Sequence, residues 1–154
     1  MDEAVKMVEL TDKQKQRAAD AVAKLPLGKL LGMRLTDIRP NEASIEITMH
    51  DDLRQPNGVL HGGVTATLID TAMAFAVIPL LGEGETTATV DLTIHYVRPH
   101  TEGVATCTAK IVRAGKRFFT VSADVTNESG QLIATAISTY TRVSRVTELT
   151  KLRG

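Results

Sequence analysis

The spacing of apolar residues changes along the chain, and each change marks a predicted element. Most residues in Asp12–Lys24 are helix formers, with Thr11 placed to cap the first turn and Pro26 just beyond the last. They predict a short N-terminal surface helix. Apolar and polar residues then alternate over 33–38 and again over 43–49, with a turn-forming segment between the two runs. This alternation predicts two strands joined as a hairpin.

Residues 64–80 are the most apolar segment of the chain. On a helix they would leave almost no polar face, because apolar side chains recur on every side: Ala66, Leu68, Ile69, Ala72, Met73, Phe75, Ala76 and Val77. A helix of this kind is enclosed by other structure. Four alternating segments follow and predict strands: 86–98, 104–113, 117–127 and 131–143. Their short connections favour antiparallel pairing, so we predict an α+β fold with one curved antiparallel sheet wrapped round the buried helix.

The length of 154 residues is that of one domain. We divide the chain into an N-terminal helical segment, residues 1–26, a sheet-and-helix domain, residues 27–144, and a C-terminal tail, residues 145–154. Only 3% of the residues are aromatic, and none is tryptophan. The predicted core is therefore aliphatic.

The charge balance and the single cysteine limit the partners and the compartment. Lys plus Arg number 18 and Asp plus Glu number 18, so no net field attracts nucleic acid, and no nucleic-acid partner is expected. Asp70 and Pro79 interrupt the longest apolar segment, so no membrane partner is expected. Cys107 has no partner for an internal disulfide, and no signal-peptide pattern is seen, so we expect a cytoplasmic protein.

Asp70 is the one charged residue within 64–80, and neighbours on the helix surface such as Ala66 and Met73 are apolar. Burying a carboxylate there is unfavourable unless it is hydrogen-bonded, paired or placed in a cleft. Two interpretations follow: a functional carboxylate, or a structural one bonded to a buried threonine or histidine. Isolated charges on buried helices mark functional sites more often than not, so we favour the first interpretation.

His61, Gly62 and Gly63 stand directly before this helix. Paired glycines at a helix start allow a ligand to approach backbone N–H groups that lack an intrahelical acceptor, and the helix dipole adds partial positive charge there. A tight turn or a close helix-to-sheet contact explains the glycines equally well. Asp70 follows Gly63 by two helical turns and is predicted to face the same side. Together they predict a carbonyl-binding site near a carboxylate.

Other candidates carry less weight. His50, Asp51 and Asp52 are of metal-ligand type, but adjacent residues point in different directions, so a solvated loop is preferred and no metal is expected. Cys107 fits a small buried residue better than a nucleophile. The sequence contains no nucleotide-binding loop and no nucleophile elbow, and no cofactor is predicted.

The segment RQPNGVLHGGVTATLID, residues 54–70, resembles the signature of hotdog-fold acyl-CoA thioesterases, in the phenylacetate-pathway (PaaI-like) subgroup of the 4-hydroxybenzoyl-CoA thioesterase superfamily. The strand TVDLTIHY, the Arg-Pro pair after it and the stretch DVTN extend the likeness across residues 27–143. The resemblance implies the hotdog fold for the domain and hydrolysis of acyl-CoA to a free acid and CoA.

The resemblance also implies roles for single residues. Asp70 would act as general base or nucleophile on the thioester carbon, and the Gly62 N–H would polarise the carbonyl. His61 would shape this site. Gln55 of the neighbouring subunit would position the attacking water or the carbonyl, and Thr89 is a further catalytic candidate.

Sites in this family lie between the subunits of a dimer, so the resemblance implies a homodimer, often paired into a dimer of dimers (a homotetramer), with acyl-CoA as the substrate. Binding of substrate and CoA would involve Gly63, Arg98, Arg113, Gly115 and Lys116. The implied acyl group is small and aromatic, phenylacetyl-like or hydroxybenzoyl-like, or of medium chain length.

Two alternatives use the same fold. A noncatalytic acyl-CoA-binding regulator would carry a DNA-binding module, for which the short N-terminal helical segment offers too little chain. A hydratase would need a differently spaced Asp and His at the helix entrance. The enzyme interpretation explains Asp70 best.

Overall fold

The structure is a computed structural model and describes residues 9–144. The predicted tail, 145–154, and the first part of the predicted N-terminal segment, 1–8, lie outside the described residues. Helices α1 to α3 span Asp12–Lys24, Pro26–Leu31 and Gly62–Val77. Strands β1 to β6 span Arg34–Arg39, Glu42–Thr48, Glu85–Tyr96, Val104–Ala114, Phe118–Asn127 and Leu132–Ser144. Single 3-10 turns occupy Asp51–Leu53 and Ile78–Leu80.

The six strands form one sheet in the order β1-β2-β4-β5-β6-β3, and every neighbouring pair is antiparallel. The chain leaves β2, passes through α3 and returns as β3 at the opposite edge of the sheet. Helix α3 therefore lies across the sheet and packs against its strands. This confirms the predicted α+β arrangement of one antiparallel sheet around a central helix.

The inner face of the sheet is lined by small and β-branched residues, which let α3 approach closely. Across three strands, Ile45 of β2 lies opposite Cys107 of β4, which lies opposite Val125 of β5. All three are fully buried, and Ala105 and Ala109 flank Cys107 on the same face. Cys107 is thus a core residue, as its small size predicted.

The structure differs from the predicted elements around proline. Pro26 ends α1 but also begins α2, because its missing N–H and fixed φ suit the first helical position. Gly32 then closes α2 in the left-handed conformation, with φ of 71°. The second helix was missed because its six residues show no full amphipathic period. At the other end of the apolar segment, Pro79 converts the last turn after α3 into 3-10 geometry.

By length and composition alone, Gly62–Leu80 is apolar enough to cross a membrane, so the interruptions at Asp70 and Pro79 do not exclude it. The packing of α3 distinguishes a core helix from a membrane span better than its composition does. The face of α3 towards the sheet is fully covered by it: Thr65, Leu68, Ile69, Ala72, Met73, Phe75, Ala76 and Val77 are buried. The helix occupies the position of a core helix in a globular domain.

We expect the Cys107 thiol to resist alkylation in the folded protein. Burial, helped by the nearby negative charge of Asp124, raises the pKa of this thiol, and the thiolate is the reactive form. Mass spectrometry after iodoacetamide treatment should show an unmodified chain under native conditions and one added group in denaturant. Rapid native labelling would contradict the described core.

Candidate active site

The entrance of α3 leaves one backbone amide available. His61 is the N-cap, and its Nδ1 accepts a hydrogen bond of 2.9 Å from the Gly63 N–H. The amides of Val64 and Thr65 bond to the His61 carbonyl oxygen. Gly62 is therefore the first-turn residue whose N–H donates to no acceptor within the described part of the chain. A free amide at a helix N-terminus is a ready donor for a negatively polarised oxygen.

His61 and Gly63 depend on each other's geometry. A Cβ added at Gly63 would lie 3.0 Å from His61 Nδ1, so a larger residue would displace the ring from its capping position. Because Nδ1 accepts the Gly63 N–H, the neutral ring carries its proton on Nε2. The exposed His61 ring thus offers a second donor near Gly62.

Tyr96, at the end of β3, forms a wall of this entrance. Its hydroxyl donates to the Gly62 carbonyl oxygen at 2.8 Å, and its ring lies 3.4 Å from the position that a Cβ of Gly62 would occupy. Arg98 follows two residues later and donates to the carbonyl of Leu132 at 3.0 Å. These contacts place Arg98 at the same end of the sheet as the helix entrance.

The loop that carries Gln55 is held by Arg54, whose importance the sequence alone did not indicate. The Arg54 guanidinium donates to the Gly58 carbonyl at 2.7 Å and bonds to the carboxylates of Asp51 and Glu102. These two carboxylates raise the Arg54 pKa further. Gly58 closes the turn at φ of 84°, a conformation that favours glycine. Gln55 therefore stands on a fixed loop beside the start of α3.

Asp70 lies on the partly uncovered side of α3 and is hydrogen-bonded through one oxygen. Its Oδ1 accepts from Thr89 Oγ1 at 2.8 Å and from the Tyr140 hydroxyl at 2.6 Å. Its Oδ2 accepts no hydrogen bond from any residue in 9–144. A threonine therefore bonds to Asp70, as the structural interpretation expected, although Thr89 is exposed and not buried. The functional interpretation of Asp70 stays a prediction. Tyr140 was not predicted.

A β-bulge in β3 directs Thr89 at Asp70. Thr89 pairs with Tyr140 and Asp91 pairs with Thr139, so Val90 is an extra residue with no partner across from it. The bulge shifts the alternation, placing Thr89 on the inner face with Leu92 and leaving Val90 exposed. Without the extra residue, Thr89 would face away from α3.

Asp91 stabilises this bulge. Its Oδ1 accepts the Thr139 N–H at 2.8 Å, replacing a ladder bond that the irregular register disrupts. Its backbone carbonyl accepts the Ser138 hydroxyl at 2.5 Å. The carboxylate of Asp91 therefore bonds within the sheet, whereas the carboxylate of Asp70 lies on α3.

The predicted site residues fall into two groups within one chain. The entrance group comprises Gln55, His61, Gly62, Gly63 and Arg98. The carboxylate group comprises Asp70 and Thr89, to which the structure adds the unpredicted Tyr140. Asp70 lies eight residue steps after Gly62 on the helix, which corresponds to about 12 Å along the axis. Within one chain, the two groups are therefore too far apart to contact the same bond of a substrate.

The predicted basic residues are also divided. Arg113 pairs with Thr120 of β5, which in turn pairs with Thr139 of β6. The Arg98 N–H instead bonds to the carbonyl of Ile133, near the start of β6. Six residue steps of β6 separate Ile133 from Thr139, about 20 Å. Arg113 lies near the end of β4, and Lys116 lies with Gly115 in the β4–β5 turn. A Cβ at Gly115 would lie only 2.9 Å from the carbonyl oxygen of Phe118. Gly115 is therefore required by the turn itself.

Comparison with known proteins gives the class of enzyme to which this arrangement belongs. Residues 57–134 match the Thioesterase superfamily, and the chain belongs to that superfamily. It has the hotdog fold and is a thioester hydrolase, as the sequence resemblance implied.

Individual proteins with similar sequences or similar folds are also thioesterases or related to them by name. The chain is 33% identical to human acyl-coenzyme A thioesterase 13 over 110 residues, which are 70% of this chain and 76% of the relative. A thioesterase from Haemophilus influenzae superposes with a TM-score of 0.79 at 22% identity, covering 90% of this chain and 94% of that one. The E. coli PaaI protein from the phenylacetic acid degradation operon gives a TM-score of 0.77 at 23% identity, covering 84% and 93%.

We expect Asp91→Ala to destabilise the fold, because the Thr139 N–H loses its acceptor at the bulge. The free energy of unfolding should fall by about 1 kcal/mol. Asp91→Asn, which keeps an acceptor oxygen, should lose less, and Asp124→Ala, an exposed position on β5, should change little. Urea unfolding measures all three, and equal stability of Asp91→Ala and wild type would exclude the stabilising role of Asp91.

Proposed function

We propose that the protein hydrolyses the thioester of a small aromatic or medium-chain acyl-CoA to the free acid and CoA. Phenylacetyl-CoA and hydroxybenzoyl-CoA are examples of the aromatic class. The observation that carries the proposal is the state of Asp70, a carboxylate with Oδ1 fixed by two hydroxyls and Oδ2 unbonded among the described residues. The kinship with an acyl-coenzyme A thioesterase supports CoA as the leaving group.

The proposed chemistry needs only groups that the chain supplies. Asp70 acts through Oδ2, either as a general base that takes a proton from the attacking water or as a nucleophile on the thioester carbon. Thr89 holds the other oxygen and so orients the carboxylate. The free N–H of Gly62, strengthened by the dipole of α3, donates to the carbonyl oxygen as negative charge develops on it. His61 Nε2–H and the Gln55 amide are further donors at this entrance.

The distance within one chain favours a site that a second subunit completes. Reacting atoms must approach to about 3 Å, and an oxyanion donor must lie about as close to the carbonyl oxygen. The span of about 12 Å from Gly62 to Asp70 is too long for one thioester to be held by the first and attacked directly by the second. We therefore propose that Gly62 of one subunit and Asp70 of another form each site.

The edge strand β3 provides the proposed dimer interface. It is twelve residues long and pairs only with β6 within the described sheet. Such an edge is a template for another strand. Pairing of β3 with its copy about a two-fold axis runs the strands antiparallel, so the Tyr96 end of one meets the Thr89 end of the other. The entrance group and the carboxylate group then lie side by side.

The same two-fold axis would bring basic residues of the two subunits close together. Arg98 of one subunit and the turn with Arg113, Gly115 and Lys116 of the other come to one end of the combined sheet, where we propose that they bind CoA phosphates. Gly63 allows the substrate to approach the helix entrance. We propose a dimer of dimers as the assembly. A cytoplasmic location fits CoA substrates and the free thiol of Cys107.

We expect the wild-type protein to release thiol from one class within a panel of phenylacetyl-, hydroxybenzoyl- and straight-chain acyl-CoAs. With the best substrate, Asp70→Asn should lower kcat about a hundredfold to ten-thousandfold and leave KM nearly unchanged, because the amide keeps the shape but cannot take a proton. Asp20→Asn, on the exposed face of α1, is the matched control. Turnover by Asp70→Asn within a few-fold of wild type would refute the proposal.

We expect two inactive variants to restore each other if the site is shared. Gly62 is the first helical residue and follows an extended His61, so Gly62→Pro fits the backbone and removes only the N–H. Gly62→Ala adds the same Cβ and keeps the amide, which makes it the control. Gly62→Pro should lower kcat about a hundredfold to a thousandfold.

Equal amounts of Gly62→Pro and Asp70→Asn chains, dissociated and reassembled together, should recover about a quarter of wild-type activity, because half of the dimers are hybrids with one intact site. A site within a single chain predicts no recovery. Light scattering checks the dimer, and an active monomer would exclude a shared site.

A further inference from the structure

We propose that Tyr140 is a positioning residue for Asp70: its buried hydroxyl fixes Oδ1 from beneath the helix and thereby presents Oδ2 to the substrate. The proposal rests on the thioesterase function proposed above and assigns a role to a residue that neither the sequence pattern nor the signature motif includes.

The contacts of Tyr140 come from the sheet, opposite the open side of the site. The hydroxyl lies 2.6 Å from Asp70 Oδ1 and 2.8 Å from the Asp70 backbone carbonyl. Tyr140 is 1% exposed, and its register partners are Thr89 on β3 and Phe119 on β5. A phenol packed on both sides in this way holds its hydroxyl at a fixed point relative to α3.

The buried phenol is suited to donate and not to ionise. Burial first, and the hydrogen bond to Asp70 second, raise the Tyr140 pKa above its ordinary value. The hydroxyl therefore keeps its proton at neutral pH and serves as a donor. A buried phenol without an acceptor would be destabilised, so the phenol and the carboxylate satisfy each other.

Two donors on one oxygen determine the orientation of the carboxylate. Thr89 approaches Oδ1 from β3, and Tyr140 approaches it from β6. Rotation of the carboxylate about its Cβ–Cγ bond would break both bonds, so Oδ2 remains the oxygen towards the uncovered face of α3. Thr89 alone, on an exposed edge strand, would leave the group free to tilt.

The test is Tyr140→Phe, which removes the hydroxyl and keeps the packed ring. We expect kcat to fall about tenfold, with KM within about twofold of wild type, because a hydrogen bond to a charged group is lost from a group that acts in the chemical step. Thr87→Val is the matched control: it removes a hydroxyl from the same strand pair, bonded to the Thr141 carbonyl instead.

A double mutant separates positioning from stability. If Tyr140 acts through Asp70, Tyr140→Phe should have no further effect on kcat in an Asp70→Asn background, whereas independent effects would multiply. Thermal melts of each variant set an assay temperature at which all are folded. Wild-type kcat in Tyr140→Phe, or the same loss in both backgrounds, would overturn the proposal and leave the thioesterase function standing. Full activity of Asp70→Asn would overturn both the Tyr140 proposal and the proposed thioesterase mechanism.

Discussion

The structure depends on covering one helix that has almost no polar face. Burial of the apolar side chains of α3 drives the sheet to wrap along it. One sheet cannot enclose a helix completely, so a stripe stays partly uncovered, running through Gly63, Ala66, Asp70 and Ala74. The candidate site lies on this stripe, and the small residues around Asp70 keep it open. The constraint that builds the core therefore also defines the site.

The carboxylate on this stripe is stable because the sheet supplies its hydrogen bonds. A half-buried Asp70 without donors would destabilise the fold, and Thr89 and Tyr140 remove that penalty at one oxygen. The bulge at Val90 makes the first of these bonds available, and Asp91 holds the bulge in place. A local irregularity in an edge strand thus shapes the candidate site. The donors satisfy Oδ1 and leave Oδ2 available.

The same edge strand carries the proposed dimer interface. Within one chain, the amide of Gly62 and the carboxylate of Asp70 are two helical turns apart, and Arg98 is far from Lys116. In the proposed dimer, a two-fold axis perpendicular to β3 shortens both separations at once, which one chain cannot do. Dimerisation in this proposal is the step that forms the site from two incomplete halves.

The sequence by itself determined the strands and the buried helix, because these follow from local periodicity. It also singled out Asp70, Gly62 and His61 as candidate residues, because one is an isolated charge and the others belong to a compact motif. It did not determine which face Thr89 occupies. Plain alternation of Val90 with Leu92 would turn Thr89 outwards, and only the strand register shows the extra residue. Nor did it show Tyr140, 70 residues from Asp70 in the chain. Contacts between distant strands depend on register and packing, which no local pattern records, and the tertiary structure alone decided them.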